Sequence, residues 1–260
     1  MHYHRLTVSY KGTHHYGWQD IGEGDKKPSE EKPTIERIIQ KVLQRICKSP
    51  DCTIATASRT DAGVHAQGQV IKVSIPLAID SKKLLLGMNS LLADDIRILL
   101  CDPSTKAFNP NKDSKRKEYH YSFCTDPIHN PLLNDSVAHI TSQKPLDIPL
   151  MKEACKLFIG EHDFYSFAKR DTSMHSTVRT IVSCKVALQS TQYGNEVYSI
   201  KIIGEGFLRY MVRYMAGALF ALGKGEIGLN DIVDALSHRN GEKLSPRAKA
   251  RGLCLIEVFY

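Results

Sequence analysis

The chain has 260 residues, 42% of them hydrophobic and 24% charged, with a net charge of +7. That is enough sequence for one large or two smaller globular domains, and the balance excludes a disordered polyelectrolyte. The positive charge suits a polyanionic partner but dictates neither fold nor chemistry.

Seven cysteines, Cys47, Cys52, Cys101, Cys124, Cys155, Cys184 and Cys254, are odd in number, scattered and without a C-x-x-C pair. They read as reduced thiols of a cytoplasmic protein, not as a disulfide framework. No histidine joins them at ligand spacing, so no metal site is expected. The pairs His2/His4 and His14/His15 read as strand or loop residues. The opening Met-His-Tyr-His-Arg is not a signal peptide, and no apolar run reaches membrane-spanning length. The cytoplasm is the expected compartment, with no membrane partner.

In chain order, Leu6, Val8 and Tyr10 alternate with polar residues and predict a first strand. The segment Gly12-Thr13-His14-His15-Tyr16-Gly17-Trp18-Gln19 predicts a loop carrying the single tryptophan, and residues 20–32, rich in Gly and charge, predict a mobile surface loop. Ile35, Ile38, Ile39, Val42, Leu43 and Ile46 mark an amphipathic helix with Thr34 as N-cap. Ile71, Val73 and Ile75 predict a strand ended by Pro76. A helix follows over 81–88, then a short buried strand over 96–100.

Residues 103–116 are polar and Pro/Asn/Lys-rich, the expected crossover between an N-terminal half, 1–105, and a C-terminal half, 106–260. Beyond it, Tyr119, Tyr121 and Phe123 share one face of a strand, and 125–147 is loop-rich. A helix is predicted over 150–158 with Gly160 as its stop. A hairpin over 179–188 and 196–203 turns at Tyr193-Gly194-Asn195. Helices over 208–222 and 231–236 follow, the second capped by Asn230, and a last strand spans 253–259. Strands and helices mix without strict alternation, so the class is α+β; the two halves show no sequence repeat.

Two places carry chemistry. Ser58-Arg59-Thr60-Asp61-Ala62-Gly63-Val64-His65 holds one carboxylate on a small turn between two potential cations. Asp-Ala-Gly is turn chemistry, and a loop of this kind either caps a surface turn or presents one acid to a substrate. On the predicted helix 208–222, Arg209, Arg213 and Gly217 share a face opposite Met211, Val212, Met215 and Leu219. An Arg on a mostly apolar helix must reach solvent or a carboxylate. Arg213 is therefore expected to pair with Asp61, holding it ionised and oriented, and Gly217 is expected to let another backbone approach. Gly204-Glu205-Gly206 lacks the further spacing of a phosphate-binding loop.

The octapeptide resembles the signature of the tRNA pseudouridine synthase A (TruA) family. The resemblance continues in order along nearly the whole chain. Gly12 to Gln19 resembles the family's early loop. Asn89 to Ile96 resembles N-x-L-P-x-D-I, with Ala93 in place of Pro. Phe108 to Tyr121 resembles the stretch ending in K-x-Y-x-Y. Gly160 to Phe167 resembles G-x-H-D-F-x-S-F, Phe207 to Gly217 resembles F-x-x-x-M-V-R-x-x-x-G, and Ala250 to Leu253 resembles A-x-G-L.

The resemblance implies an α+β pseudouridine synthase fold: two related sheet-and-helix halves sharing a continuous, mostly antiparallel sheet around a basic cleft. It implies a homodimer with tRNA across both subunits, and isomerisation of uridine to pseudouridine at positions 38–40 of the anticodon stem-loop, without cofactor or metal. Asp61 is then the nucleophile, attacking either C1′ of the ribose or C6 of the base. Tyr119 faces the uracil with its hydroxyl placed for the C5 proton. Arg213 is the partner of Asp61, and Arg59 helps displace the target nucleotide from its stem. Lys112, Lys115, Arg116 and Lys117 read either as phosphate contacts or as a solvated basic run. Asn111 stands where the family often has an RNA-contacting Arg, and the loop at 20–32 is longer than usual. Three rival functions stay open: an RNA-binding protein without activity, an Asp-dependent hydrolase, and a synthase with other RNA targets. The hydrolase needs a second acid near Asp61 or a metal cluster, and neither is evident in the sequence.

Overall fold

The computed structural model describes residues 1–19, 32–169, 176–237 and 243–260. The expected surface loop at 20–32 thus falls, except for Lys32, outside the described residues. In chain order the elements are β1 (His2–Tyr10), α1 (Ile35–Cys47), β2 (Thr53–Thr56), β3 (His65–Ile75), α2 (Ser81–Leu91), β4 (Ile96–Pro103), β5 (Arg116–Cys124), β6 (Ala138–His139), α3 (Ile148–Cys155), β7 (Gly160–Asp163), β8 (Val178–Gln192), β9 (Asn195–Gly204), α4 (Met211–Gly223), α5 (Leu229–Ser237) and β10 (Leu253–Phe259). The class is α+β, as the mixed order of elements predicts.

The chain folds as two units, Met1–Lys115 with Cys254–Tyr260, and Arg116–Leu253. The expected division fell at 105/106. The crossover segment is bonded into the first unit. Lys72 Nζ donates to Lys106 O at 3.0 Å and also to Phe108 O, Lys115 N donates to Phe259 O at 2.8 Å, and Tyr260 Oη donates to Pro110 O at 2.8 Å. β10 belongs there too, because it pairs parallel with β3 at Cys254↔His65 and Leu255↔Ala66. A strand that is last in sequence completes the first sheet, an arrangement local patterning does not reveal.

In the first unit the strand order is β4-β1-β3-β10, with β2 also pairing β3. Alternation puts His4, Leu6, Val8 and Tyr10 of β1 on the buried face. Antiparallel register sets Leu6 against Ile71 and His4 against Val73 on one side, and Val8 against Ile98 and Tyr10 against Ile96 on the other. Ile35, Ile39 and Leu43 of α1 and Leu84 and Met88 of α2 are fully buried. Thr34 caps α1 by accepting from Arg37 N, as its position predicts. β4 is not the buried run expected: Leu99 and Leu100 are 48% and 57% exposed, because β4 is an edge strand whose pairing with β1 shifts register between Ile98 and Leu100, interrupting the alternation.

In the second unit the order is β5-β9-β8-β7, with the short β6 beside β5. Tyr119, Tyr121 and Phe123 do share the buried face of β5. Phe220 of α4 meets Tyr121 and Phe123 edge-on, at centroid distances of 5.7 and 4.9 Å. The β8–β9 turn has Tyr193 at φ 51° and Gly194 at φ 79°, the left-handed pair that suits a two-residue hairpin.

Three helix boundaries differ from expectation. α3 begins earlier, capped by Asp147, and tightens to a 3₁₀ turn over Lys156–Phe158. Gly160, at φ 112°, opens β7 and does not stop the helix. α4 starts at Met211, since Tyr210 is left-handed at φ 67°, so Arg209 precedes the helix. α5 starts at Leu229 because the Asp231 carboxylate accepts from Gly228 N at 2.7 Å. That leaves Asn230 inside the helix, not at its cap. No helix among the described residues is long and apolar enough to cross a membrane.

Candidate active site

The expected site residues divide between the units: Arg59, Asp61, Lys112 and Lys115 in the first, Arg116, Lys117, Tyr119 and Arg213 in the second.

Asp61 sits on a turn closed by Val64 N donating to Asp61 O at 3.1 Å. The early loop clamps this turn. Trp18 N donates to Thr60 O at 3.0 Å, Tyr10 Oη and Thr60 Oγ1 share a 2.7 Å hydrogen bond, and Gly12 N donates to His65 Nδ1 at 3.1 Å. Gly17 has φ +87°, and a Cβ there would lie 2.6 Å from Thr60 O and 2.9 Å from Ala62 N. A Cβ on Gly12 would lie 2.0 Å from Val64 O. Two glycines therefore let one loop backbone lie directly on another, which side chains at those positions forbid. The loop is anchored to α1 in turn, by Ile35 N to Gly17 O and Glu36 N to Trp18 O, both at 3.0 Å. His15 Nε2 meets Asp95 Oδ2 at 2.8 Å, so this histidine is an anchor of the loop.

Ser58, before the turn, is held by both ends of the buried Gln69 amide: its N donates to Oε1 at 3.2 Å and its O accepts from Nε2 at 2.6 Å. The Asp61 side chain itself is half-buried. Arg59 is exposed, beside Glu36 in the first turn of α1. Burial pushes the Glu36 carboxyl up and the Arg59 guanidinium draws it back.

In the second unit Tyr119 is 6% exposed, and Phe207 meets its ring edge-on at 5.0 Å. The Tyr119 ring is thereby fixed in orientation from one side. Arg213 is 7% exposed on α4. Its Nε donates to Ala248 O at 2.8 Å and its own O accepts from Ala248 N at 3.1 Å. This doubly bonded strip runs on past Gly217, where a Cβ would meet Pro246 O at 2.3 Å, so the close backbone approach expected there is present. Burial pushes the Tyr121 phenol up, and the nearby cations Arg213 and Arg251 oppose that shift.

The basic run separates by burial. Lys112, Lys115 and Arg116 are exposed. Lys112 rides a tight turn in which Asn109 Oδ1 accepts from Asn111 N at 3.1 Å and Lys112 N at 3.0 Å. Lys117 departs from a solvated run, because strand alternation points it to the buried face with Tyr119; it is 7% exposed. Burial lowers its ammonium from 10.5 to about 8. The unfolded lysine keeps its proton longer than the folded one, so the folded state gains stability as pH rises from about 8 towards 10.5. Lys117→Met is expected to melt higher than wild type near neutral pH. That advantage should shrink as the buffer approaches pH 10, by at most about 3 kcal/mol at about 1.4 kcal/mol per pKa unit. A difference in melting temperature that stays flat with pH contradicts this.

The sequence pattern does not single out Tyr210. It is a non-glycine residue with left-handed backbone, and three arginines surround its ring. Nothing in its local pattern signals this, since the flanking residues read as continuous helix. Among the described residues, no group of three or more His, Cys, Asp or Glu is placed to hold a metal ion.

Residues 154–260 match the family described as tRNA pseudouridine synthase. The chain is similar to tRNA pseudouridine synthase A 2 of Desulfotalea psychrophila, 45% identical over 261 residues that cover 99% of this chain and 98% of that one. Similarity to tRNA pseudouridine synthase A of Bacillus pumilus is 35%, covering 98% of both chains. With that of Myxococcus xanthus it is 32%, covering 98% of this chain and 91% of the relative.

Proposed function

Because the chain belongs to the tRNA pseudouridine synthase A family, we propose that it isomerises uridine to pseudouridine in tRNA, with Asp61 as nucleophile. The observation that carries this reading is the near-full-length identity to relatives of that name. The Asp61 turn supports it, since two glycines and a buried tryptophan fix its backbone while Asp61 itself is only half-buried.

In this reading the Asp61 carboxylate bonds to C1′ or C6 and the C1′–N1 bond breaks. The uracil turns, C5 bonds to C1′ as the Asp61 oxygen is released, the C5 proton passes to a base, and N1, freed of the ribose, takes up a proton. Atoms and electrons balance within the nucleotide, and no step runs through a cofactor or metal. Tyr119 stacks on the base and takes the C5 proton, and Phe207 holds its ring. Arg213 pairs with Asp61, its guanidinium held by Ala248. Arg59 helps open the stem, and Lys112, Lys115 and Arg116 contact phosphates in a basic cleft. Lys117, on the Tyr119 face, supplies positive charge beside the base-binding ring. The targets are positions 38–40 of the anticodon stem-loop, and the enzyme acts as a cytoplasmic homodimer on a continuous sheet, all as the family resemblance implies.

The decisive experiment is tritium release from C5-labelled uridine in unmodified tRNA, followed by mapping of the modified positions. Release at 38–40 is expected. A wild-type protein that binds tRNA and releases no tritium overturns the reading in favour of a non-catalytic RNA-binding protein. Tyr119→Phe keeps the ring and removes the proton acceptor, so it should lose about 10²- to 10⁴-fold in turnover, the range general-base catalysis supplies. Its affinity for tRNA should stay close to wild type. Wild-type turnover in this variant removes Tyr119 from the chemistry.

A further inference from the structure

We propose that Gly204 is a positioning residue for the reaction: its bare Cα seats the ring of Phe207, and that ring sets the orientation of Tyr119. This rests on the reading of Tyr119 as the group that takes the C5 proton. Every contact involved lies within the second unit.

The segment Gly204-Glu205-Gly206 lacks the spacing of a phosphate-binding loop, and its place in the sheet gives it a different use. β9 ends at Gly204, which lies between Lys117 of β5 and Ile181 of β8. Two residues back along β9, Ile202 lies beside Tyr119. Lys117, Tyr119 and Ile181 are all buried on one face, so a side chain at 204 would point into that face too. The room is already taken. A Cβ on Gly204 would lie 2.9 Å from Phe207 Cζ, 2.9 Å from Ile181 Cδ1 and 3.1 Å from Thr180 O. A glycine at the end of a strand pattern marks a close approach of this kind.

Phe207 is half-buried, so the core does not enclose its ring on every side. What locates the ring is the seat on Gly204 and the edge-on contact with Tyr119, at 5.0 Å between centroids and 79° between planes. The chain between seat and ring is held as well, because Glu205 N donates to Thr180 O at 3.1 Å. A methyl group at 204 meets the free ends of two side chains, the tip of the Phe207 ring and a methyl of Ile181. Both can turn aside without unfolding the sheet. The cost therefore falls on the placement of the Phe207 ring, and through it on the Tyr119 hydroxyl.

The test uses the full chain, unmodified tRNA and single-turnover tritium release. Gly204→Ala should melt close to wild type and lose about tenfold in turnover, a fraction of the loss that a full 1 Å misplacement brings. Its KM for tRNA should stay at the wild-type value. Gly206→Ala is the control in the same segment, because a Cβ there meets only Arg179 Cδ and Nε at 3.7 Å, an ordinary contact. It should turn over like wild type. In a Tyr119→Phe background, Gly204→Ala should cost little more, since the hydroxyl it displaces is already gone. Phe207→Leu removes the ring tip; it should lower turnover by itself and leave Gly204→Ala without further effect. Wild-type turnover in Gly204→Ala, an equal loss in Gly206→Ala, or losses that add in the Tyr119→Phe background overturn the proposal. Should Gly204→Ala fail to fold, wild-type turnover in Phe207→Leu overturns it instead. The underlying reading fails separately, when Tyr119→Phe alone turns over like wild type.

Discussion

Asp61→Asn is expected to abolish tritium release from C5-labelled uridine, by more than about 10⁴-fold, the order of loss when a catalytic nucleophile is removed. The substitution keeps side-chain volume and removes the negative charge. The fold should tolerate it, because the turn is held by backbone and by Thr60. Trp18 N and Tyr10 Oη both bond to Thr60, and Val64 N bonds to the Asp61 carbonyl. The variant should therefore melt within a few degrees of wild type and still bind tRNA. Substantial residual release, with the pseudouridine confirmed in the product, removes Asp61 from the nucleophile's role. Loss of folding together with activity calls for Asp61→Glu, which keeps the charge and displaces it. That variant should fold and remain severely impaired, because a misplacement of about 1 Å at the reacting centre costs about 10²-fold.

The second large effect is expected away from the carboxylate. Gly17→Ala introduces a Cβ at 2.6 Å from Thr60 O and 2.9 Å from Asp61 C, at φ +87°. All the clashing atoms are backbone, so no rotamer change relieves them; either the loop or the Asp61 turn must move. Left-handed strain and the displaced hydrogen bonds together should cost about 2–4 kcal/mol. Turnover should fall by about 10²-fold or more as the carboxylate shifts. The single tryptophan, Trp18, is fully buried next to the site of change, so its emission should move to the red. Gly194→Ala is the control. Its φ is +79°, yet nothing lies within 4 Å of the added Cβ, so it carries the strain without the clash. It should cost only about 1–2 kcal/mol and leave turnover alone. If Gly17→Ala behaves like Gly194→Ala, the loop does not set the position of the turn.

The legibility of this protein follows the range of the interactions involved. β1, α1, β3 and β10 were readable because alternation and helical spacing report directly on one buried face. The Thr34 cap was readable because a cap is a contact three residues long. The start of α4 was not: Leu208 and Arg209 continue an apolar helical pattern, and Tyr210 turns left-handed with its neighbours pinned by Lys169 and Leu208. Lys117 stood in a run of basic residues that reads as solvated, yet strand alternation turns it inward beside Tyr119. Leu99 and Leu100 looked buried by composition, and an edge position exposes them.

By itself the sequence determined the family, because ordered motifs are local statements about residue types. It also determined most elements, because burying one face imposes a period. Only the tertiary structure decided that the last strand belongs with the first half of the chain, that Gly12 and Gly17 exist to let one loop lie on the Asp61 turn, and that three arginines share one tyrosine ring. Each of these brings together residues distant in sequence, through backbone hydrogen bonds and close approaches that have no period and no motif. The Asp61 turn shows the division plainly: the acid is legible at once, and what holds it still is written tens of residues away.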